Sequence, residues 1–279
     1  MSVKRLAVVG SPVAHSRSPA MQNAALAALG LDDWTYEAIE MPPADFAELT
    51  AALPQEGFVG VNVTIPHKEA ALALAGDASA AATEIGAANT LSFREEGIRA
   101  DNTDAPGLLA ALPGHPSGLR ALVLGAGGSA RAAAWALGGQ GAQVEVWNRT
   151  AARAEELVSS LAGTAAGARG GLAAVSGEAA RSGGHDLIVN CTAVGLGGRG
   201  DPFADLPLER AALESGPLLV DLVYGHEDTE LVAAAREAGA RVVDGVEVLV
   251  QQGAESLRIW TGREIGPRVI EAMRQAASR

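Results

Sequence analysis

Short apolar, β-branched runs alternate along the whole chain with longer alanine- and leucine-rich stretches of helical period. A short apolar run bounded by turn formers reads as a buried strand, and apolar positions recurring every three to four residues read as a helix packed on it. The first hundred residues predict strands at Arg5–Val9, Thr35–Ile39 and Phe58–Val63, then a hairpin over Thr90–Ala100 with Glu96-Gly97 at its turn. Helices fill the gaps, for example Pro19–Leu29 and Ala44–Leu53. The cluster Pro113-Gly114-His115-Pro116-Ser117-Gly118 then breaks the pattern close to a domain boundary. Beyond it the pattern predicts strand Ala121–Leu124, helix Ser129–Leu137, strand Gln143–Trp147, helix Ala152–Leu161, and strands Leu187–Asn190, Leu218–Leu222 and Arg241–Val243. This second series is laid out like one complete nucleotide-binding sheet. Two further helices, Glu247–Thr261 and Pro267–Ala276, close the chain. Strands joined by helical crossovers imply an α/β fold with parallel sheets.

Composition narrows the partners. At 279 residues the chain has the length of two domains, at roughly 150 residues each. A net charge of -12 has the wrong sign for broad contact with phosphate backbones or anionic lipid, so nucleic acid and membrane surfaces are not expected partners. No uncharged apolar stretch approaches the ~18 residues of a membrane span, and Leu6–Val9 is too short for a signal peptide, so a cytoplasmic protein is expected. The single cysteine, Cys191, leaves no internal disulfide framework and no multi-cysteine metal site. Nearly all basic residues are arginine; the only lysines are Lys4 and Lys68. Lysine can give up a proton near neutral pH where arginine cannot, so Lys68 stands out.

The segment Gly125-Ala126-Gly127-Gly128-Ser129-Ala130 follows a predicted strand and opens a predicted helix. It is the dinucleotide glycine fingerprint with alanine in the third place. Gly125 permits the tight turn, Gly127 lets the backbone approach a pyrophosphate, Ala130 lets helix and strand pack closely, and free amides at the helix start receive negative charge. The next strand ends in Asn148-Arg149-Thr150, with no carboxylate for a ribose 2′-hydroxyl. Arg149, with Arg153 one turn on, has the charge to neutralise a 2′-phosphate, which favours NADP over NAD.

Three polar clusters sit at strand-to-helix junctions. In Asn62-Val63-Thr64-Ile65-Pro66-His67-Lys68, Pro66 forces Ile65 to be extended and ends the strand, leaving Thr64 and Lys68 where ligands bind in open α/β sheets. Lys68 is there either a proton donor and acceptor or a surface lysine. In Asn102-Thr103-Asp104-Ala105-Pro106-Gly107, Thr103 or Asp104 is either a functional group or the N-cap of a helix. In Gly10–Pro19, Ser16 and Ser18 either hold a carboxylate or cap a helix.

Taken in chain order, these pieces resemble the shikimate dehydrogenase family from Gly10 to Gly262. The resemblance rests on Ser16-Arg17-Ser18-Pro19, the Asn62–Lys68 run, Gly86-Ala87-Ala88-Asn89-Thr90, Asn102-Thr103-Asp104, and the glycine loop with Asn148-Arg149-Thr150. It continues through Asp221-Leu222-Val223-Tyr224 to Gly245-Val246-Glu247-Val248-Leu249-Val250-Gln251-Gln252. It implies NADP-linked interconversion of 3-dehydroshikimate and shikimate. Implied substrate contacts are Ser16, Ser18, Thr64, Asn89, Asp104, Tyr224 and Gln252, with Lys68 and Asp104 as the catalytic pair. Leu222 and Gly245 join the glycine loop as implied cofactor contacts.

The implied architecture is an open α/β substrate domain, residues 1–104 with 244–279, and an inserted Rossmann-type doubly wound domain, residues 105–243. A homodimer is the family expectation. The chain departs from the family pattern at Gln22, at Asn190-Cys191-Thr192-Ala193, and at Leu222 and Val248 near the nicotinamide. Two other readings compete. A quinate/shikimate dehydrogenase using NAD is opposed by Arg149, and a non-catalytic NADP-binding regulator by the intact set Lys68, Asn89, Asp104 and Gln252.

Overall fold

The computed structural model describes residues 3–198, 200–225 and 227–278; the expected domain limits at residues 1 and 279 lie outside them. The chain divides into two compact units, residues 1–107 with 249–279 and residues 108–248.

The first unit carries strands β1 (Lys4–Gly10), β2 (Trp34–Glu40), β3 (Phe58–Val63), β4 (Asp77–Ala78), β5 (Thr90–Arg94) and β6 (Gly97–Asp101). Its helices are α1 (Ser18–Ala28), α2 (Phe46–Ala52), α3 (Lys68–Leu74), α4 (Ala80–Ile85) and the start of α5 (Asp104–Ala111). The sheet order is β2-β1-β3-β5-β6-β4. β1 is parallel to both β2 and β3, whereas β5 runs antiparallel to β3 and to β6. The sheet is therefore mixed, because two short strands joined by a tight turn can only pair antiparallel. That turn falls at Glu95-Glu96, not at Glu96-Gly97: Gly97 already opens β6, with a φ of +125° that favours glycine. Ala7, Val9, Val61, Val63, Leu91 and Ala100 project from one face of the sheet and pack with Phe46, Ala71 and Met41.

The second unit carries β7 (Arg120–Leu124), β8 (Gln143–Trp147), β9 (Leu172–Ala174), β10 (Leu187–Asn190), β11 (Leu218–Asp221) and β12 (Arg241–Val243) in the order β12-β11-β10-β7-β8-β9. Renumbered within the unit this is 6-5-4-1-2-3, all parallel, the doubly wound dinucleotide-binding arrangement. Both faces are covered. Ala121, Val123, Val144 and Val146 pack beneath α6 (Gly128–Gly139) and α7 (Ala151–Leu161), while Leu122, Leu124, Ile188 and Leu219 pack on the opposite face. α6 turns Ala130, Ala133, Ala134 and Leu137 to the sheet, the three-and-four spacing of a packed helix.

Between β8 and β12 lie short helices α8 (Ala165–Arg169), α9 (Gly177–Arg181), α10 (Pro202–Asp205) and α11 (Arg210–Glu214), then α12 (Glu230–Glu237). The sequence pattern anticipates neither β9 nor α8 to α12: Gly and Ala dominate α8, β9 and α9, and α10, α11 and α12 are only four, five and eight residues long, too short for a clear periodic apolar stripe. The chain ends with α13 (Gly245–Thr261), in which the division of the units falls, and α14 (Pro267–Ala277), which packs along α1.

Candidate active site

Four segments of the first unit end at one edge of its sheet. β1 and β3 are parallel neighbours, so the loops after Gly10 and Val63 leave side by side: the Thr64 amide donates to the Val9 carbonyl at 2.9 Å and the Ser11 amide to the Ile65 carbonyl at 3.0 Å. β5 is antiparallel, so its beginning, not its end, lies at that edge, and the Val63 amide donates to the Asn89 carbonyl at 2.8 Å. β6 returns there, and Asn102, Thr103 and Asp104 follow it. Antiparallel β5 thus brings two more polar loops to the carboxyl edge of β1 and β3.

Lys68 opens α3, and its Nζ lies 2.6 Å from Asp104 Oδ2, with side chains 12% and 17% exposed. His67, one residue before, is buried; its Nε2 donates to the Met41 carbonyl at 2.7 Å and its ring stacks on Phe46 with centroids 4.4 Å apart, which anchors the start of the helix. The second oxygen of Asp104 is held by Asn89, whose Nδ2 lies 2.8 Å from Oδ1. The orientation of that carboxamide follows from chemistry: the Thr103 backbone N–H, which can only donate, sits 2.7 Å from Asn89 Oδ1. Nδ2 therefore faces Asp104, and also Thr103 Oγ1 at 2.9 Å and Gln252 Oε1 at 3.1 Å. Both carboxylate oxygens face N–H donors, the setting of an ionised acceptor.

The N-cap reading of Thr103 and Asp104 does not hold. Asn102 caps α5, its Oδ1 accepting from the Ala105 amide at 3.2 Å while its Nδ2 donates to the Ala87 carbonyl at 2.9 Å. The side chains of Thr103 and Asp104 are left to the cluster. Gln252 reaches it because Gly107 has no side chain: a Cβ there would lie 2.7 Å from the Gln252 amide nitrogen. Gly10 acts likewise for Thr64, whose Cγ2 lies 2.3 Å from where a Cβ would stand.

Ser16 lies on the loop after β1 and Ser18 opens α1, neither within hydrogen-bonding contact of the Lys68 pair. Ser16 Oγ accepts from the Ser18 amide at 3.2 Å, which leaves its own O–H to donate. Glu40, at the end of β2, holds this loop by accepting from Ser11 Oγ at 2.7 Å and from the Val13 amide at 2.9 Å; these bonds, the serine's first, keep its carboxyl below the ordinary range.

In the second unit, Gly125 has a φ of +112°, and a Cβ would approach the Cys191 carbonyl at 3.2 Å. Gly127, the N-cap of α6, has open space where its side chain would be, so the first amides of the helix stay approachable. Ala126 and Ala130 are buried, Gly128 opens the helix and Ser129 lies in its first turn. This cradle fits the pyrophosphate of a dinucleotide. At the end of β8, Asn148 Nδ2 donates to the Thr150 carbonyl at 3.0 Å. Arg149 and Arg153 are exposed, with no ion pair among the described residues. They fit the ribose phosphate of NADP.

Leu222 packs against the core below, and Gly245 is buried, a Cβ there lying 2.8 Å from the Asp221 carbonyl oxygen. Tyr224 is half-buried on the loop after β11. Asp221 itself is buried and accepts from Asn190 Nδ2, Thr229 Oγ1 and the Val223 amide; burial pushes its carboxyl above the ordinary range, against those three bonds.

The polar core behind Asn89 escapes sequence reasoning. Thr90, Thr103, Ser256, Asn62 and Tyr36 are buried and hydrogen-bonded together. The available signal was the spacing of Gln252 and Ser256, four apart on an otherwise apolar face of α13.

Residues 8–91 match the family model of the shikimate dehydrogenase substrate binding domain, and residues 245–277 that of the shikimate 5′-dehydrogenase C-terminal domain. A shikimate dehydrogenase (NADP(+)) of Anaeromyxobacter dehalogenans is 45% identical over 258 residues, which span 92% of this chain and 90% of that one. The solved shikimate 5-dehydrogenase of Thermus thermophilus, in complex with NADP(H) and shikimate, is 42% identical with a TM-score of 0.82, covering 99% of this chain and 100% of the other. A 5-ketofructose reductase of Gluconobacter is 32% identical with a TM-score of 0.81, covering 99% and 98%. The fold therefore serves more than one carbonyl substrate, and the site must carry the argument for which.

Proposed function

The chain belongs to the shikimate dehydrogenase family, and on that premise we propose how its own residues run the reaction. It is an NADP-dependent oxidoreductase that reversibly interconverts 3-dehydroshikimate and shikimate, a step towards chorismate and the aromatic amino acids. NADPH, when bound, supplies the hydride.

Lys68 supplies the proton. As the ketone carbon is reduced, negative charge grows on its oxygen; the Lys68 ammonium stabilises that charge and passes a proton from Nζ to the oxygen. In the reverse direction the neutral amine takes the hydroxyl proton. Asp104 holds Lys68 through Oδ2 and offers its carboxylate to a substrate hydroxyl. Its Oδ1 is committed to the Asn89 N–H, so a proton exchanged within the pair moves only between Nζ and Oδ2. Asn89 and Gln252 present amide groups beside the pair, and Ser16, Ser18, Thr64 and Tyr224 supply hydroxyls for the acid and alcohol groups of shikimate.

Gly125, Ala126, Gly127, Gly128 and Ser129 receive the pyrophosphate. Asn148, Arg149, Thr150 and Arg153 receive the 2′-phosphate, and Leu222 and Gly245 line the nicotinamide side. The observation that best supports this reading is the sheltered 2.6 Å pair of Lys68 and Asp104, held on its far side by an amide that can point only one way. Among the described residues no helix is long and apolar enough to cross a membrane. A cytoplasmic setting and a homodimer belong to the same proposal, the latter checked by light scattering.

The test is nicotinamide absorbance with shikimate or quinate and NADP or NAD, in all four pairings. Turnover with shikimate and NADP well above the other three is the expected result. Comparable rates with quinate or NAD move the assignment to the broader quinate/shikimate enzyme, and silence in every pairing from folded protein overturns the catalytic reading.

A further inference from the structure

We propose that Ser256 is a positioning residue for this reaction: its buried hydroxyl locks Thr103, Thr90 and Asn62 into the one arrangement that keeps the Asn89 carboxamide aimed at Asp104. Ser256 is 0% exposed, one turn after Gln252 on α13, and touches neither Lys68 nor Asp104. Its Oγ lies 2.8 Å from Asn62 Nδ2, 2.9 Å from Thr90 Oγ1, 3.0 Å from Thr103 Oγ1 and 3.0 Å from the Gln252 carbonyl oxygen.

The directions of these bonds are constrained. A serine hydroxyl has one proton to donate and two lone pairs to accept with. Asn62 Nδ2 also faces the Asn89 carbonyl oxygen at 3.2 Å, an atom that can only accept, so the nitrogen assignment of Asn62 is secure and its Oδ1 receives the Tyr36 hydroxyl proton at 2.8 Å. Ser256 therefore accepts from Asn62. The Gln252 carbonyl can only accept, so the Ser256 proton goes either to it or to one of the threonines. Either way one lone pair is left, which a threonine hydroxyl can fill by donating into Ser256.

Thr103 meets the site from the other side: its Oγ1 lies 2.9 Å from Asn89 Nδ2, and its amide fixes Asn89 Oδ1. Hydrogen bonds thus connect Tyr36 through Asn62, Ser256 and Thr103 to Asn89 and Asp104, every link but the last carboxylate being buried. With Ser256→Ala, Asn62 Nδ2 and the threonines lose a shared partner in a place water does not reach. Thr103 then has other hydroxyl rotamers open to it, and Asn89, its direction still set by the Thr103 amide, loses a fixed acceptor at Thr103 Oγ1 beside Asp104.

This inference rests on the reading of Lys68 and Asp104 as the catalytic pair. The experiment is a double-mutant cycle in the full chain, reading kcat/KM for shikimate with NADP at a temperature well below each variant's Tm. Ser256→Ala is expected to lower kcat/KM about tenfold, the scale of one buried hydrogen bond lost. NADP affinity, read by fluorescence, verifies that the chain is folded. In an Asn89→Ala background the same substitution is expected to change kcat/KM by less than about twofold, because the group it positions is gone.

A role in packing alone predicts the full loss in both backgrounds, and that outcome, or a Ser256→Ala enzyme with wild-type kcat/KM, overturns the proposal. If Ser256→Ala does not fold, Ser256→Cys, similar in size but a weak hydrogen-bonder, goes through the same cycle under the same criteria. Absence of shikimate turnover in the unmodified protein sinks the functional reading and this inference together; turnover there with no effect at Ser256 sinks the inference alone.

Discussion

On the proposed reading, the two units build their halves of the chemistry from different materials. In the first, the working groups are side chains, and each is held by partners far away along the chain: Asn89 by Gln252, Asn62 by Ser256, Lys68 by Asp104. In the second, the working groups are largely backbone amides, presented by a strand, a turn and a helix that are consecutive in sequence. A backbone cradle needs only small residues and one left-handed turn. A side-chain cradle needs several segments to arrive together, and every polar atom it buries must find a partner. The first unit should therefore be the one in which single substitutions remove chemistry, and the second the one in which they change which cofactor is preferred.

The largest effect tests that division directly. Lys68→Ala is expected to lower kcat by about 10²–10⁴-fold, the usual worth of a positioned acid or base, with KM for shikimate changed far less. Steady-state kinetics alongside the NADP dissociation constant decide the matter. An NADP affinity that falls in step with kcat breaks the division between the units, and an unchanged kcat removes Lys68 from the mechanism.

The same contrast explains what could be read from the sequence. The glycine loop, β7 and α6 are legible because periodicity, turn chemistry and spacing all act within about two dozen residues of one another. So is the membership of the hydrogen-bonded cluster: Lys68, Asn89, Asp104 and Gln252 each sit in a recognisable run. What holds them is not legible. Asn102 rather than Asp104 caps α5, because the loop geometry turns the Asn102 oxygen towards the Ala105 amide, and a run of three capping-competent residues does not reveal which one will do it. Ser256 and Tyr36 read as unremarkable helix and strand positions, since their partners are brought by sheet order, and register across an antiparallel strand is a tertiary fact. β9 and its neighbouring short helices stay hidden for a different reason, that glycine and alanine carry almost no directional pattern.

Next in size is cofactor choice. Arg149→Ala, and to a lesser degree Arg153→Ala, is expected to shrink the preference for NADP over NAD by about 10- to 100-fold, the range of a charge-assisted hydrogen bond lost at a partly solvated site. The ratio of kcat/KM values for the two cofactors reads it. A ratio that does not move would show that the 2′-phosphate is recognised elsewhere on the unit.

Smaller, and seen first in stability, is Gly107→Ala. The added methyl has to displace the backbone of Gln252, so α5 and α13 separate at the point where Asn89 meets Gln252. Overpacking of this kind costs about 1–3 kcal/mol, which a urea midpoint resolves, and shikimate KM should rise with it. A variant as stable as the parent would mean that this crossing yields easily, and would weaken the account of how the first unit brings its distant segments together.

The smallest effect concerns the buried Asp221, a place where the second unit relies on a side-chain network as the first does. Its carboxyl is pushed above the ordinary range by burial, so the folded chain holds that proton more tightly than the unfolded chain. The sign follows. This contribution to stability is fully present below the ordinary carboxylate range, is lost as pH rises from there through the raised folded value, and stays lost above it. Asp221→Asn removes the titration and keeps the shape; its oxygen accepts from Asn190 and Val223, and its nitrogen donates to Thr229, whose hydroxyl turns from donor to acceptor. The Tm of the variant minus that of the parent should therefore increase between about pH 4 and pH 8. A difference that stays flat means that the three donors fully offset desolvation, and a difference that decreases means that they outweigh it, leaving Asp221 a stabilising anion.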